Sequence, residues 1–167
     1  MLRAIDPKSL TDNTFSLIGD EWMLITAGDG EGCNTMTASW GGLGIMWGEP
    51  CATAYIRPQR YTKEFVDGQE YFTLSFFDPE YRPQLALCGA KSGRDVDKVK
   101  ECGFTVEFTP EGAPMFAQAR LTLVCRKLYA QDMDPKAMPR WVLDKWYPNE
   151  DYHTMYIGQI VTAYIND

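Results

Sequence analysis

Histidine is nearly absent from this chain: His153 is the only one in 167 residues. A metal centre built from several imidazoles is therefore excluded, as is any catalytic design that needs two of them. Paired cysteine motifs are missing too. The five cysteines, Cys33, Cys51, Cys88, Cys102 and Cys125, are odd in number and contain no C-x-x-C. That pattern supports neither a disulfide framework nor a zinc knuckle, and small apolar thiols account for Cys51, Cys102 and Cys125. Thiols kept reduced point to the cytoplasm. Positive charge is in deficit: 16 Lys and Arg stand against 23 Asp and Glu, a net charge of −7. Such an acidic total argues against broad binding to nucleic acid or to an anionic membrane, although a small local anion site remains open. No run of about eighteen apolar residues occurs, so no membrane span is expected. The first residues carry Arg3, Asp6, Lys8 and Asp12 and no apolar stretch, so no signal peptide is expected. The glycine fingerprints of dinucleotide and P-loop sites and the G-x-S-x-G elbow of serine hydrolases are also missing.

What remains is rich in core-forming material. Hydrophobic residues make up 45% of the chain and aromatic ones 13%, which suffices for the core of one domain, residues 1–167. Short β-prone runs alternate with glycine and proline. Strands are expected over residues 22–27, 34–40, 51–56, 71–77, 104–108, 120–129 and 156–165, with a chain reversal at residues 28–32. In the fourth run Phe72, Leu74 and Phe76 fall on one side. In the last, Ile157, Val161 and Ile165 alternate against Gly158, Thr162 and Tyr164. Short helices are expected over residues 62–67, over 83–87 with Gly89 as the stop, and over 135–145. Ser92-Gly93-Arg94-Asp95 has the spacing of a capping box, which would start a helix bearing Val96 and Val99 and ending at Gly103. The pattern predicts a mainly β fold with short helices, an antiparallel barrel.

Three segments have the chemistry to hold a phosphorylated heterocycle. Asn34-Thr35-Met36-Thr37-Ala38-Ser39-Trp40 combines small hydroxylated residues with one ring. Small residues let the backbone approach a planar ligand, hydroxyls answer its carbonyls, and Trp40 offers an apolar wall. Read alone, the segment fits an ordinary strand with a threonine-rich solvent face better than a ligand site. The second segment, Ile56-Arg57-Pro58-Gln59-Arg60-Tyr61-Thr62-Lys63, gathers cations where a strand gives way to a helix. Arginine binds phosphate in bidentate fashion, and Thr62 fits either the helix cap or a phosphate donor. A solvated basic turn paired with Glu64 and Asp67 is the alternative. The third segment runs from Cys88 to Lys98, with Gly89, Ser92, Arg94 and Lys98 around a loop. Ser92 has a sufficient explanation as a cap; the basic cluster does not.

Together, in this order, the three segments and Tyr71-Phe72-Thr73-Leu74-Ser75-Phe76 resemble the flavin reductase-like family, including its flavoredoxin branch. The likeness spans about residues 15–165. It implies an FMN-binding split β-barrel, antiparallel and Greek-key-like, that forms a homodimer with flavin sites near the subunit interface. It implies that Asn34, Met36, Thr37, Ala38, Ser39 and Trp40 surround the flavin ring. Arg57, Pro58, Arg60, Tyr61 and Thr62 would contact phosphate and ribityl, with Cys88, Gly89, Ser92, Arg94 and Lys98 closing over them. Reduced nicotinamide, NADH or NADPH, would give electrons through flavin N5 to an acceptor. In the flavoredoxin-like alternative a redox protein is the donor. His153 resembles a position near the flavin's open face, where it would place a donor or supply a proton; a surface or dimer-contact histidine is the alternative. Cys88 is either a redox thiol near the flavin or a partnerless cysteine.

Overall fold

The computed structural model describes residues 2–166. Ten strands dominate the described residues: β1 (Leu2–Ile5), β2 (Met23–Asp29), β3 (Gly32–Ala38), β4 (Gly41–Met46), β5 (Glu49–Ile56), β6 (Tyr71–Phe76), β7 (Val106–Phe108), β8 (Pro114–Phe116), β9 (Leu121–Asp132) and β10 (Thr154–Asn166). Five short α-helices punctuate them: α1 (Thr14–Gly19), α2 (Thr62–Gly68), α3 (Arg82–Ala90), α4 (Lys98–Cys102) and α5 (Arg140–Trp146). No helix among the described residues is long and apolar enough to cross a membrane.

The main sheet runs β3-β2-β6-β9-β10-β5-β4, every pairing antiparallel, with β1 added to β10. Phe72, Leu74 and Phe76 of β6 face inward and join Ile25, Leu123, Tyr156 and Ala163 in the barrel core. The opposite face of β6 is buried as well. Thr73 Oγ1 donates to the Pro114 carbonyl at 2.7 Å, because the β7–β8 ribbon lies over it. A second core of Leu24, Phe77, Leu85, Cys88, Phe104 and Phe116 fills the space under α3, α4 and that ribbon.

Several boundaries differ from the sequence reading, each for a local reason. Residues 41–46, glycine-rich and expected to be loose, form β4. Its turn, Trp47-Gly48, has φ of 52° and 76°, the two positive angles that a tight hairpin with right-handed twist requires. The alternation expected along residues 156–165 is broken twice, by register shifts at Ile157/Gly158 and Ile160/Thr162. A Cβ on Gly158 would lie 2.8 Å from both Phe72 and Cys125, so glycine lets the strand press on the core at the first shift. Helix α3 continues through Gly89 to Ala90. The expected helix over residues 135–145 splits into a 3-10 turn at Pro135–Ala137 and α5, which begins after Pro139.

Ser92 does not start a helix. Its Oγ accepts from Arg94 N at 3.2 Å within a turn, and α4 begins six residues later. The cap there is Asp97, whose Oδ1 accepts from Lys100 N at 3.1 Å; Gly103, at φ 68°, ends the helix as expected. Thr62 is likewise no cap: it is the first helical residue, and Tyr61 precedes it without a side-chain capping bond.

Candidate functional site

Strand β3 is the terminal strand of the sheet path and pairs only with β2. Its outer backbone groups therefore have no ladder partner, and polar groups in that position seek one. Lys98 supplies one, donating Nζ to the Thr35 carbonyl at 2.9 Å. After Ala38 the chain leaves β3, and β4 joins β5 on the far end of the sheet. The gap between the two ends opens a cleft of about 240 Å³. Met36 to Trp40 form one wall; Tyr55, Arg57 and Arg60 form the second; Trp146 and His153 close the third. The Trp40 and Trp146 rings meet edge to face at 4.9 Å.

The two arginines of the second wall are held differently. Arg57 is neutralised: Nη1 lies 2.9 Å from Asp151 Oδ2, and Nη2 donates to the Trp146 carbonyl at 3.0 Å. Gln59 Nε2 reaches the same Asp151 oxygen at 2.9 Å. Arg60 donates only to carbonyls, from Nη1 to Gly89 at 3.0 Å and from Nη2 to Cys88 at 3.3 Å. Lys98 shares that Cys88 carbonyl at 2.9 Å. Neither Arg60 nor Lys98 has an ion pair among the described residues. Burial lowers the Arg60 guanidinium from its ordinary range. Burial and then the nearby charge of Arg60 bring the Lys98 ammonium down to about 8. Two cations thus crowd one carbonyl with no carboxylate to offset them, a polarity that an incoming anion relieves.

His153 is buried against Trp40, with ring centroids 5.2 Å apart. Its Nδ1 lies 2.6 Å from the Tyr147 hydroxyl. Burial, then the Arg57 charge, holds the imidazole down at about 4, so it is neutral at pH 7; Asp151 opposes this weakly. Burial raises the Tyr147 phenol, which keeps its proton at neutral pH and meets both the ring and the backbone of His153. The phenol and Nδ1 share this one hydrogen bond, which fixes the orientation of the neutral ring.

The residues singled out in the sequence separate into three sets. Met36, Thr37, Ala38, Ser39, Trp40, Arg57, Arg60 and His153 come together around the cleft. Asn34, Tyr61, Arg94 and Lys98 line a second, polar cleft of about 720 Å³ together with residues 93–97. Pro58, Thr62, Cys88, Gly89 and Ser92 line neither. Asn34 and Thr62 are committed to each other, with Nδ2 donating to Oγ1 at 2.8 Å in a buried position. A Cβ on Gly93 would lie 2.0 Å from Asn34 Oδ1, so glycine lets the loop close over that amide. Arg94 pairs with Glu64 at 2.9 Å and lies over the Tyr61 ring. Gly89 packs against Thr37, whose hydroxyl donates to the Leu85 carbonyl and ties β3 to α3. The Cys88 thiol is in the second core, 3.7 Å from Cys102 Sγ, and burial pushes it up to about 12. It is not a poised nucleophile.

Sequence reasoning missed Tyr55, Tyr147, Trp146 and Asp151. Only Tyr55 carried a signal: it lies in β5, two residues before Arg57, which follows the strand end. The other three arrive on the chain between β9 and β10, which no periodicity ties to the cleft.

An antiparallel barrel with an edge strand, an aromatic cleft and an unneutralised cationic corner defines a class of ligand-holding barrel. The chain belongs to the flavin reductase-like family: the family model for the flavin reductase like domain matches residues 15–167. No match was found among the curated proteins. Among solved structures it is similar to a flavoredoxin from Methanosarcina acetivorans, with a TM-score of 0.71, 20% identity, and coverage of 98% of this chain and 74% of that one. It is similar to an FMN-binding protein from Thermus thermophilus with bound p-hydroxybenzaldehyde (TM-score 0.71, 18% identity, 99% and 82% covered). It also resembles an FMN-binding domain of a flavin reductases-like enzyme from Shewanella baltica (TM-score 0.69, 17% identity, 99% and 77% covered). The fold is the split barrel of this family.

Proposed function

We propose that the chain binds FMN between β3 and the Arg57–Thr62 turn, and acts as an oxidoreductase that takes electrons from reduced nicotinamide and passes them to an acceptor. The observation that carries this reading is the corner of Arg60 and Lys98, two cations that share the Cys88 carbonyl and have no ion pair among the described residues. A phosphate dianion fits that chemistry, since it accepts charge-assisted bonds from both. The edge of β3 fits a heterocycle that presents donors and acceptors along one side.

Bound FMN supplies a ring able to take and return electrons as hydride. The chain's own residues do the rest. Met36 to Trp40 position the ring, and the Trp40–Trp146 pair keeps water from one side. Neutral His153 presents a hydrogen-bonding ring nitrogen to whatever lies in the cleft and stays uncharged at pH 7. It orients a donor rather than serving as the acid.

A homodimer goes with this reading. Phe15, Trp47 and Trp141 are 90%, 57% and 65% exposed, which is apolar area of the kind that a second copy covers. A reducing compartment, the cytoplasm, goes with it too, supported by five free thiols. A flavoredoxin-like carrier, reduced by a protein partner, is the second reading. The rim of exposed aromatics at Trp40, Trp141 and Trp146 favours it, as a surface for transient docking.

The test is the absorbance spectrum of the protein with FMN, before and after anaerobic NADH or NADPH. Bleaching of bound flavin supports the reductase. Bleaching only by dithionite or a reduced protein transfers support to the carrier. A chain that leaves added FMN free in solution overturns both.

A further inference from the structure

A larger chamber of about 710 Å³ opens beside the cleft and shares Ser39, Trp40, Tyr55 and His153 with it. Its volume lies in the range of roughly 300–1,000 Å³ usual for small-molecule sites. The walls come from separate parts of the fold. Ile18 and Phe15 belong to α1, Leu43 to β4, and Met133 follows β9. No Asp, Glu, Lys or Arg among the described residues lines it. Its polar groups are hydroxyls and one imidazole, all able to hydrogen-bond. The cationic corner at Arg60 and Lys98 lines other surfaces. An anion in the chamber would give up hydration without a counter-charge, whereas an apolar ring gains about 25 cal/mol for each Å² it buries.

We propose that this chamber binds an uncharged, planar aromatic molecule of one or two rings, its face against the apolar walls and its polar group toward Ser39 and His153. The charged phosphates of a nicotinamide nucleotide have no place in it and stay outside. That this ligand meets a flavin rests on the reading above; that it binds does not.

The experiment is equilibrium dialysis of para-nitrotoluene and para-nitrobenzoate, run on the protein with and without FMN. The two probes share a skeleton and differ by one carboxylate. We expect para-nitrotoluene to bind at least about tenfold more tightly. Leu43→Arg, which puts a cation on the wall, lowers its affinity at least about tenfold. Phe15→Arg puts a cation on the rim, at the surface assigned above to a second copy, and cuts the preference between probes to about threefold or less. FMN affinity, followed by flavin fluorescence, stays unchanged in Leu43→Arg. Equal affinity for the two probes overturns the proposal, as does para-nitrotoluene binding that neither variant alters. Failure to bind para-nitrotoluene while Leu43→Arg turns a dimer into a monomer assigns the chamber to a second copy and also overturns it. If FMN does not bind but the neutral probe does, the flavin reading fails and the chamber stands.

Discussion

Arg57 and Arg60 are three residues apart, line the same cleft and look interchangeable in the sequence, yet their surroundings give them opposite roles. The Arg57 side is balanced: Asp151 answers the guanidinium, Gln59 braces the carboxylate, and Tyr147 lies 5.0 Å beneath. The Arg60 side is unbalanced, with Lys98 as its neighbour and only carbonyls as partners. A cation that already has its anion is structural; one held in place without an anion is ready for a ligand. What matters is the partner, not the residue type.

The largest effect should come from testing that contrast directly. Arg60→Ala is expected to weaken FMN binding about a hundredfold, roughly 3 kcal/mol for a charge-assisted contact at a half-buried site. Arg57→Ala should cost less than about tenfold. Calorimetric titration of both variants decides, and an equal or reversed order breaks the comparison.

Protons sharpen the Arg57 side next. His153 has its folded value near 4, against 6.5 for the free group. Between those values the unfolded chain binds the proton and the folded chain does not. Stability therefore falls as pH drops from 6.5 to about 4, by up to about 3 kcal/mol. Urea unfolding across this window should show the slope, and His153→Gln should remove most of it. Arg57→Gln should shift the lower end of the window upward, because its charge helps to hold the imidazole down.

On the Arg60 side the sign differs. Lys98 has its folded value near 8, and an anion beside it favours the charged form and raises that value. FMN binding above pH 8 should therefore take up a proton, and affinity should fall by about tenfold over the next one or two pH units. Fluorescence titrations in a pH series test this; a Lys98→Met variant with the same dependence rules Lys98 out as its source.

The smallest effect concerns the loop that carries Lys98. Asp97→Ala should cost about 1 kcal/mol of stability by removing a helix cap, and Ser92→Ala less than about 0.5 kcal/mol. Thermal unfolding of the two variants separates them, and equal losses would restore Ser92 as the cap.

Much of the fold was legible because burial imposes a period. The Phe72, Leu74 and Phe76 alternation locates β6, and the hairpin of β2 and β3 follows from the glycine cluster between them. Strand β4 was hidden because its glycines have no side-chain pattern, and β10 was misphased because two register shifts reset its alternation. For the cleft, the Met36–Trp40 run and the two arginines could be picked out by composition. The mutual bond of Asn34 and Thr62 could not, since a side chain in a sequence has no direction.

The order of residues therefore determined which strands form, where the turns fall and which chemical groups stand near one another along the chain. Only the tertiary structure decided which charges meet. Asp151 reaches Arg57 across 94 positions of chain, and Lys98 reaches the carbonyl of Thr35 across 63. Local propensity acts over a few residues, whereas electrostatic neutralisation acts over a few ångströms of space, and closure of the barrel is what converts the first distance into the second.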